Sequence, residues 1–357
     1  MRLDGAYLAP RWLGGGGALG GNAQTIWPAL ASRRHHGAPA RYRRQRVATP
    51  DGDFIDIDWQ DVLPTPGSGA PLPPPEGVRP ASRRLGGEAV DAEAPLLLLF
   101  HGLEGSSASH YAEAFAATAA QRGWRYAVPH FRGCSGAPNL APRAYHSGDF
   151  EEVGWILARC REAHRGPIVA VGVSLGGNAL VRWVEEAGET ARETLRAVAA
   201  VSAPLDLAAS GMAIGRGFNR LVYTRMFLAS MRPKALATLA RHPGLFDRDR
   251  LLAARDLHDF DDVFTAPLHG FRDADDYWAR ASARPQLARV RLPALLLNAR
   301  NDPFVPAASL PRADEVGAAV TLWQPAHGGH VGFPQGRFPG HVLTLPQAVT
   351  LWLEQHL

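Results

Sequence analysis

An apolar run, Ile168-Val169-Ala170-Val171, leads directly into Gly172-Val173-Ser174-Leu175-Gly176, and Gly177-Asn178-Ala179-Leu180-Val181 follows with the character of a helix opening. This stretch constrains the fold more than any other. A short continuous apolar run suits a strand buried on both faces, which requires helices above and below a parallel sheet. Glycines two before and two after Ser174 suit a sharp strand-to-helix turn, where side chains at those places would collide. Such a turn lifts the serine hydroxyl above the sheet, at the helix end whose dipole favours developing negative charge. The bland alternative is a Gly-rich helix start with serine as an ordinary N-cap. The strand ahead of the turn favours a nucleophile.

The same pattern recurs along the chain. Leu96-Leu97-Leu98-Leu99-Phe100 reads as a buried strand ending at His101-Gly102. Residues 111–122 read as a helix, 126–128 as a strand, 150–164 as a helix and 197–202 as a strand. After an interruption, Ala294-Leu295-Leu296-Leu297 and Val320-Thr321-Leu322-Trp323 resume the strands, and a last helix falls near 347–356. This alternation predicts an α/β protein with a mostly parallel central sheet flanked by helices. The interruption, about 205–290, is helical in pattern and carries Phe218, Tyr223, Phe227, Phe260 and Trp278. It is expected to be a helical cap over the carboxyl edge of the sheet. The 357 residues suffice for one large core with such an insertion. The expected division is an irregular Arg/Gly-rich segment, 1–46, then a hydrolase-like domain, 47–357, containing a Pro-rich loop at 61–93. Phe54-Ile55-Asp56-Ile57-Asp58-Trp59 alternates between apolar and acidic, as a half-buried strand near a sheet edge would.

A serine hydroxyl is a weak nucleophile and needs a base oriented by a third group. In α/β hydrolases the chain order is serine, acid, histidine. Asp302, in Asn301-Asp302-Pro303, follows the 294–297 strand, and His330, in His327-Gly328-Gly329-His330, follows the 320–323 strand. Both therefore emerge at carboxyl ends of strands, where ligands bind in open α/β sheets. Asp206 is a rival acid and His327 a rival base. The turn directly after a strong strand run favours Asp302, and the two glycines favour delivery of His330. An oxyanion hole is expected from the backbone N–H of Leu175 and, in the loop after Phe100, of Leu103. His101 is read as a brace for that loop. Cys134 would need a base of its own to serve as nucleophile. The pair His327-x-x-His330 lacks a third ligand with the spacing of a zinc site. The chemistry requires no metal and no organic cofactor.

Composition narrows the rest. The net charge is +4 and Lys234 is the only lysine. Arg33, Arg34, Arg41, Arg43, Arg44 and Arg46 crowd the start of the chain, a pattern that reads first as a solvated arm and second as a contact for nucleic acid or anionic lipid. No nucleic-acid partner is expected, and peripheral membrane contact stays open. Two cysteines, Cys134 and Cys160, give no disulfide framework. With no long apolar span and no signal-peptide core at residues 1–20, a cytoplasmic location is expected. Nothing in the sequence speaks to oligomeric state.

Several blocks together resemble the YheT-like family of α/β hydrolases, which is related to the eukaryotic abhydrolase-domain lipid hydrolases. They are Asn22-Ala23-Gln24-Thr25-Ile26-Trp27-Pro28, His101-Gly102-Leu103-Glu104-Gly105-Ser106, Arg132-Gly133-Cys134-Ser135-Gly136, Tyr145-His146-Ser147-Gly148-Asp149, and the three blocks around Ser174, Asp302 and His330. Their order from Asn22 to the C-terminus is more specific than any one of them. The chain departs from the family at His130, where Asn is usual, and in the added stretch 61–93. The resemblance implies an esterase or lipase that cleaves acyl esters of small molecules or lipids through an acyl-enzyme, with Ser174, Asp302 and His330 as triad. An acyltransferase or thioesterase would use the same triad, and a non-catalytic binding protein could share the fold.

Overall fold

A computed structural model describes residues 3, 7–13, 17–35, 37–61 and 93–357. The Pro-rich loop expected at 61–93 falls almost wholly outside the described residues. Eight strands form one sheet: β1 (Tyr42–Ala48), β2 (Phe54–Gln60), β3 (Leu96–Phe100), β4 (Arg125–Pro129), β5 (Ile168–Val173), β6 (Ala197–Val201), β7 (Ala294–Leu297) and β8 (Val320–Trp323). Their spatial order is β1-β2-β4-β3-β5-β6-β7-β8. β1 and β2 run antiparallel to their neighbours, and all pairings from β4 to β8 are parallel.

The apolar runs are explained by a core on each face. Leu97 and Leu99 point into a cluster with Phe115 of helix α2 (His110–Gln121) and Leu353 of the last helix, Thr344–Glu354. Leu96, Leu98 and Phe100 point the other way, onto Ile156 of α3 (Phe150–Ala163) and Leu180 of α4 (Leu175–Ala187). Alternate side chains of a strand face opposite sides, so a strand covered on both must be apolar throughout.

Two readings of the first 60 residues are corrected. The segment taken as irregular contains a helix, α1 (Gly17–Leu30), and its end is the edge strand β1. β2 is accordingly second from the edge and almost wholly buried. Register sets Arg44 opposite Asp58 and Arg46 opposite Asp56. Each arginine grips its carboxylate with two nitrogens, at 2.7 and 2.9 Å for Arg44 and 2.8 and 2.8 Å for Arg46. These arginines are cross-strand partners that let the acids of β2 be buried, where a solvated arm was expected.

Residues 207–289 form a succession of helices between β6 and β7. Leu207–Ile214, Arg225–Arg241 and Ala274–Ala281 are the main ones, and they make the helical cap. Among the described residues no helix is long and apolar enough to cross a membrane.

Candidate active site

β5 runs into α4 with Ser174 at the junction, at φ 52° and ψ −121°. That is a strained conformation for a residue with a side chain. The flanking glycines are required by space. A Cβ on Gly172 would lie 2.4 Å from the carbonyl oxygen of Gly176, and one on Gly176 would lie 2.5 Å from those of Phe100 and His101. The N–H of Ser174 donates to Val201 O at 2.8 Å, so β6 holds the turn. The hydroxyl has no hydrogen-bond partner among the described residues and faces a cavity.

Asp302 and His330 are brought together. His330 Nδ1 lies 2.9 Å from Asp302 Oδ2. The other carboxylate oxygen accepts the N–H groups of Phe304, at 2.8 Å, and Val305, at 3.2 Å. The imidazole stacks against Phe304 with centroids 4.3 Å apart. The rivals lie elsewhere. Asp206 caps the helix Leu207–Ile214 and pairs with Arg284, while Nδ1 of His327 has no hydrogen-bond partner among the described residues.

Sequence reasoning missed what fixes the His330 loop. Thr25 Oγ1 accepts the N–H of His330 at 2.8 Å, and Gln24 Oε1 accepts that of Gly328 at 2.8 Å. Asn301 Oδ1 accepts the N–H of Gly329 at 3.0 Å, and Ser202 Oγ that of Val331 at 3.1 Å. The block Asn22–Pro28 was the one signal, and α1 explains it: Gln24 and Thr25 reach across more than 300 positions to the histidine loop.

The loop after β3 is tethered on both sides of Leu103. Gly102 N–H donates to Tyr111 Oη at 2.9 Å and Glu104 N–H to Tyr145 Oη at 3.0 Å. The N–H groups of Leu103 and Leu175 donate to no acceptor among the described residues. A Cβ on Gly102 would meet that of Ser174 at 3.1 Å, so the loop lies against the serine. His101 braces it. It is fully buried, and desolvation pushes its pKa down to about 3. Its neutral ring accepts the N–H of Phe131 at Nε2, so Nδ1 carries the proton and donates to Gly102 O at 2.8 Å. Burial pushes the Cys134 thiol up to about 12, which suppresses the thiolate a nucleophile needs. His130, the departure noted above, lies buried with Nε2 2.9 Å from Asp58.

The cavity over Ser174 measures about 430 Å³. Leu103 and Leu175 line it from the sheet's rim, and Phe227, Met231, Phe260, Phe264 and Trp278 from the cap. The cations on its wall are all engaged: Arg132 with Asp53 and Glu152, Arg143 with Asp149, Lys234 with Glu104, and Arg241 with the carbonyl of Asn139. Asp261, on the same wall, is half-buried and held up near 6 by desolvation while Trp278 and Thr265 donate to it.

The model of the α/β-hydrolase fold matches residues 95–336, and the sheet order and serine turn described above are those of that class, so the protein is an α/β hydrolase. Within the class, the chain belongs to the YheT-like family. It is 36% identical over 337 residues to YheT of Escherichia coli (strain K12), a match covering 94% of this chain and 90% of that one. It is 29% identical to the mouse (Mus musculus) protein named Phospholipase ABHD3, over 84% of this chain and 68% of that one. Among solved structures, Est1E from Butyrivibrio proteoclasticus shares the fold, with a TM-score of 0.51 and 13% identity over 89% of this chain and 99% of that one.

Proposed function

We propose that Ser174, Asp302 and His330 are the nucleophile, acid and base of a two-step acyl transfer to water. Ester hydrolysis by a serine enzyme is the chemistry of this chain; the assignment of roles is our reading. His330 takes the hydroxyl proton at Nε2 as Ser174 Oγ bonds to the ester carbonyl carbon. The N–H groups of Leu103 and Leu175 receive the oxyanion, each contributing on the order of 3 kcal/mol in comparable sites. The carbon–oxygen ester bond breaks, and the alcohol leaves with the proton from His330. Water, deprotonated by His330, then attacks the acyl-enzyme and releases the acid and free Ser174.

The observation that carries this reading is the 2.9 Å bond between His330 and Asp302, at the same sheet rim as the strained serine. The substrates are small-molecule or lipid esters. The apolar cavity wall supports an acyl chain, and the pairing of Arg132, Arg143 and Lys234 with carboxylates supports an ester that brings no negative headgroup to them. One relative is named Monoacylglycerol lipase, from Saccharomyces cerevisiae, and is 27% identical over 69% of this chain.

The test is hydrolysis of p-nitrophenyl esters from short to long acyl chains by wild type and Ser174→Ala, with fluorophosphonate labelling of both. Activity and labelling that vanish together in the variant support the assignment. A variant that retains either removes Ser174 from the mechanism.

A further inference from the structure

The cap carries a surface that ester hydrolysis does not require. Residues 207–246 contain no aspartate or glutamate, yet include Arg216, Arg220, Arg225, Arg232, Lys234 and Arg241. With five arginines, one lysine and no acid, this segment carries six positive charges in a chain whose net charge is only +4. The segment 217–241 is helical throughout, with a π turn at Arg220–Thr224. One side is buried or faces the cavity through Tyr223, Phe227, Leu228 and Met231. The other side is open, and it is apolar. Phe218 is 50% exposed, Leu221 59% and Met226 56%. Ala229 and Ala240 of the same helix are also exposed.

A surface helix ordinarily turns polar residues outward. Apolar residues grouped on the solvent side of a helix mark a contact surface. The arginines set among them are free to serve it. Arg220 and Arg225 are exposed and in no ion pair among the described residues, and Arg216 touches only the sulfur of Met212.

We infer that this outer face of the cap docks on an anionic lipid bilayer. Phe218, Leu221 and Met226 enter the boundary between headgroups and acyl chains, and Arg216, Arg220 and Arg225 pair with lipid phosphates. Charge decides between occupants. A two-fold contact between copies sets the same patch against itself, which places arginines against arginines with no carboxylate between them. Nucleic acid would match the arginines and leave the phenylalanine, leucine and methionine against phosphates. A bilayer satisfies both. Because the helix behind this face is also a wall of the cavity, docking brings the cavity to the lipid surface, and that consequence rests on the lipid-ester reading above.

The test is sedimentation of the full-length protein with vesicles of phosphatidylcholine alone and of an equal mixture with phosphatidylglycerol, at low and high salt. The protein is expected to pellet with the mixed vesicles, less at high salt, and to stay in solution with phosphatidylcholine alone. The triple variants Phe218→Ser/Leu221→Ser/Met226→Ser and Arg216→Gln/Arg220→Gln/Arg225→Gln should each lower partitioning at least about tenfold. Both should hydrolyse a soluble short-chain ester at the wild-type rate, which shows that they fold. Ser174→Ala should bind vesicles as wild type does, so failure of the triad assignment and failure of docking are told apart. Wild type that ignores the mixed vesicles, or variants that bind them undiminished, would overturn the inference. So would an apolar-face variant whose only change is a smaller oligomer by light scattering, or an arginine variant whose only loss is DNA binding.

Discussion

Asp302 accepts a 2.9 Å hydrogen bond from Nδ1 of His330, and two backbone N–H groups hold the carboxylate in place. An ionised carboxylate only accepts, so the ring proton sits on Nδ1 and Nε2 is left basic. Asp302→Asn keeps the shape and offers an amide donor in place of an acceptor, which favours the opposite tautomer. We expect kcat for p-nitrophenyl ester hydrolysis to fall on the order of 10⁴-fold with KM little changed, as for the equivalent substitution in a serine protease. A loss under tenfold would remove Asp302 from the triad.

Thr25 fixes the backbone of the histidine loop without facing the cavity. Thr25→Val removes the acceptor and strands the N–H of His330, at a cost of about 1–3 kcal/mol. The expected outcome is a kcat/KM reduced up to about a hundredfold, with Thr25→Ser restoring most of it. A loss in Thr25→Ser with none in Thr25→Val would show that the methyl group, and not the hydroxyl, is what matters.

Gly332 has no room for a side chain. A Cβ there would lie 1.8 Å from the carbonyl oxygen of Gln24, and both partners are backbone. Gly332→Ala should push the loop off α1, lowering stability by about 1–3 kcal/mol or more. Thermal unfolding monitored by circular dichroism should show the drop in Tm, and turnover should fall with it. An unchanged Tm would mean that α1 and the loop are not packed this closely.

Met231 lines the cavity from the cap. Met231→Trp fills part of about 430 Å³ from the cap side. Its acyl chain-length optimum should move to shorter esters, while kcat/KM for the acetyl ester stays within about threefold of wild type. An unmoved optimum would place the acyl chain elsewhere.

His101 supplies a pH signature. Burial lowers its pKa to about 3 in the folded protein, against about 6.5 in an unfolded chain. Between those values the unfolded state binds more protons, so stability is full above about pH 6.5 and is lost as the pH falls toward 3. His101→Gln removes that linkage. Its Tm should be lower at neutral pH but should decline less steeply than the wild-type Tm between pH 6.5 and 4. Parallel curves would mean that His101 is protonated in the fold.

Local signals made the sheet and the candidate site legible. Strands β3, β5 and β7 are short apolar runs because helices cover both faces, and such runs need no partner to be seen. Gly172 and Gly176 announce themselves around Ser174 because one backbone turn leaves neither of them room for a side chain. β1 was invisible for the opposite reason. Its arginines look like a solvated run until Asp56 and Asp58 stand opposite them, and that pairing is a matter of register. Ser202 and Asn301 gave no sign either, since each is an ordinary polar residue until a distant loop donates to it.

The sequence by itself determined which side chains could carry the chemistry and the order in which they leave the sheet, because strand period and turn sterics act over a few residues. Only the tertiary structure decided that Asp302 rather than Asp206 meets His330, that α1 locks the histidine loop, and that the cap turns an apolar, acid-free face outward. Those outcomes depend on contacts between residues remote in sequence, where burial, unpaired hydrogen-bond donors and charge are settled by what the whole chain brings alongside.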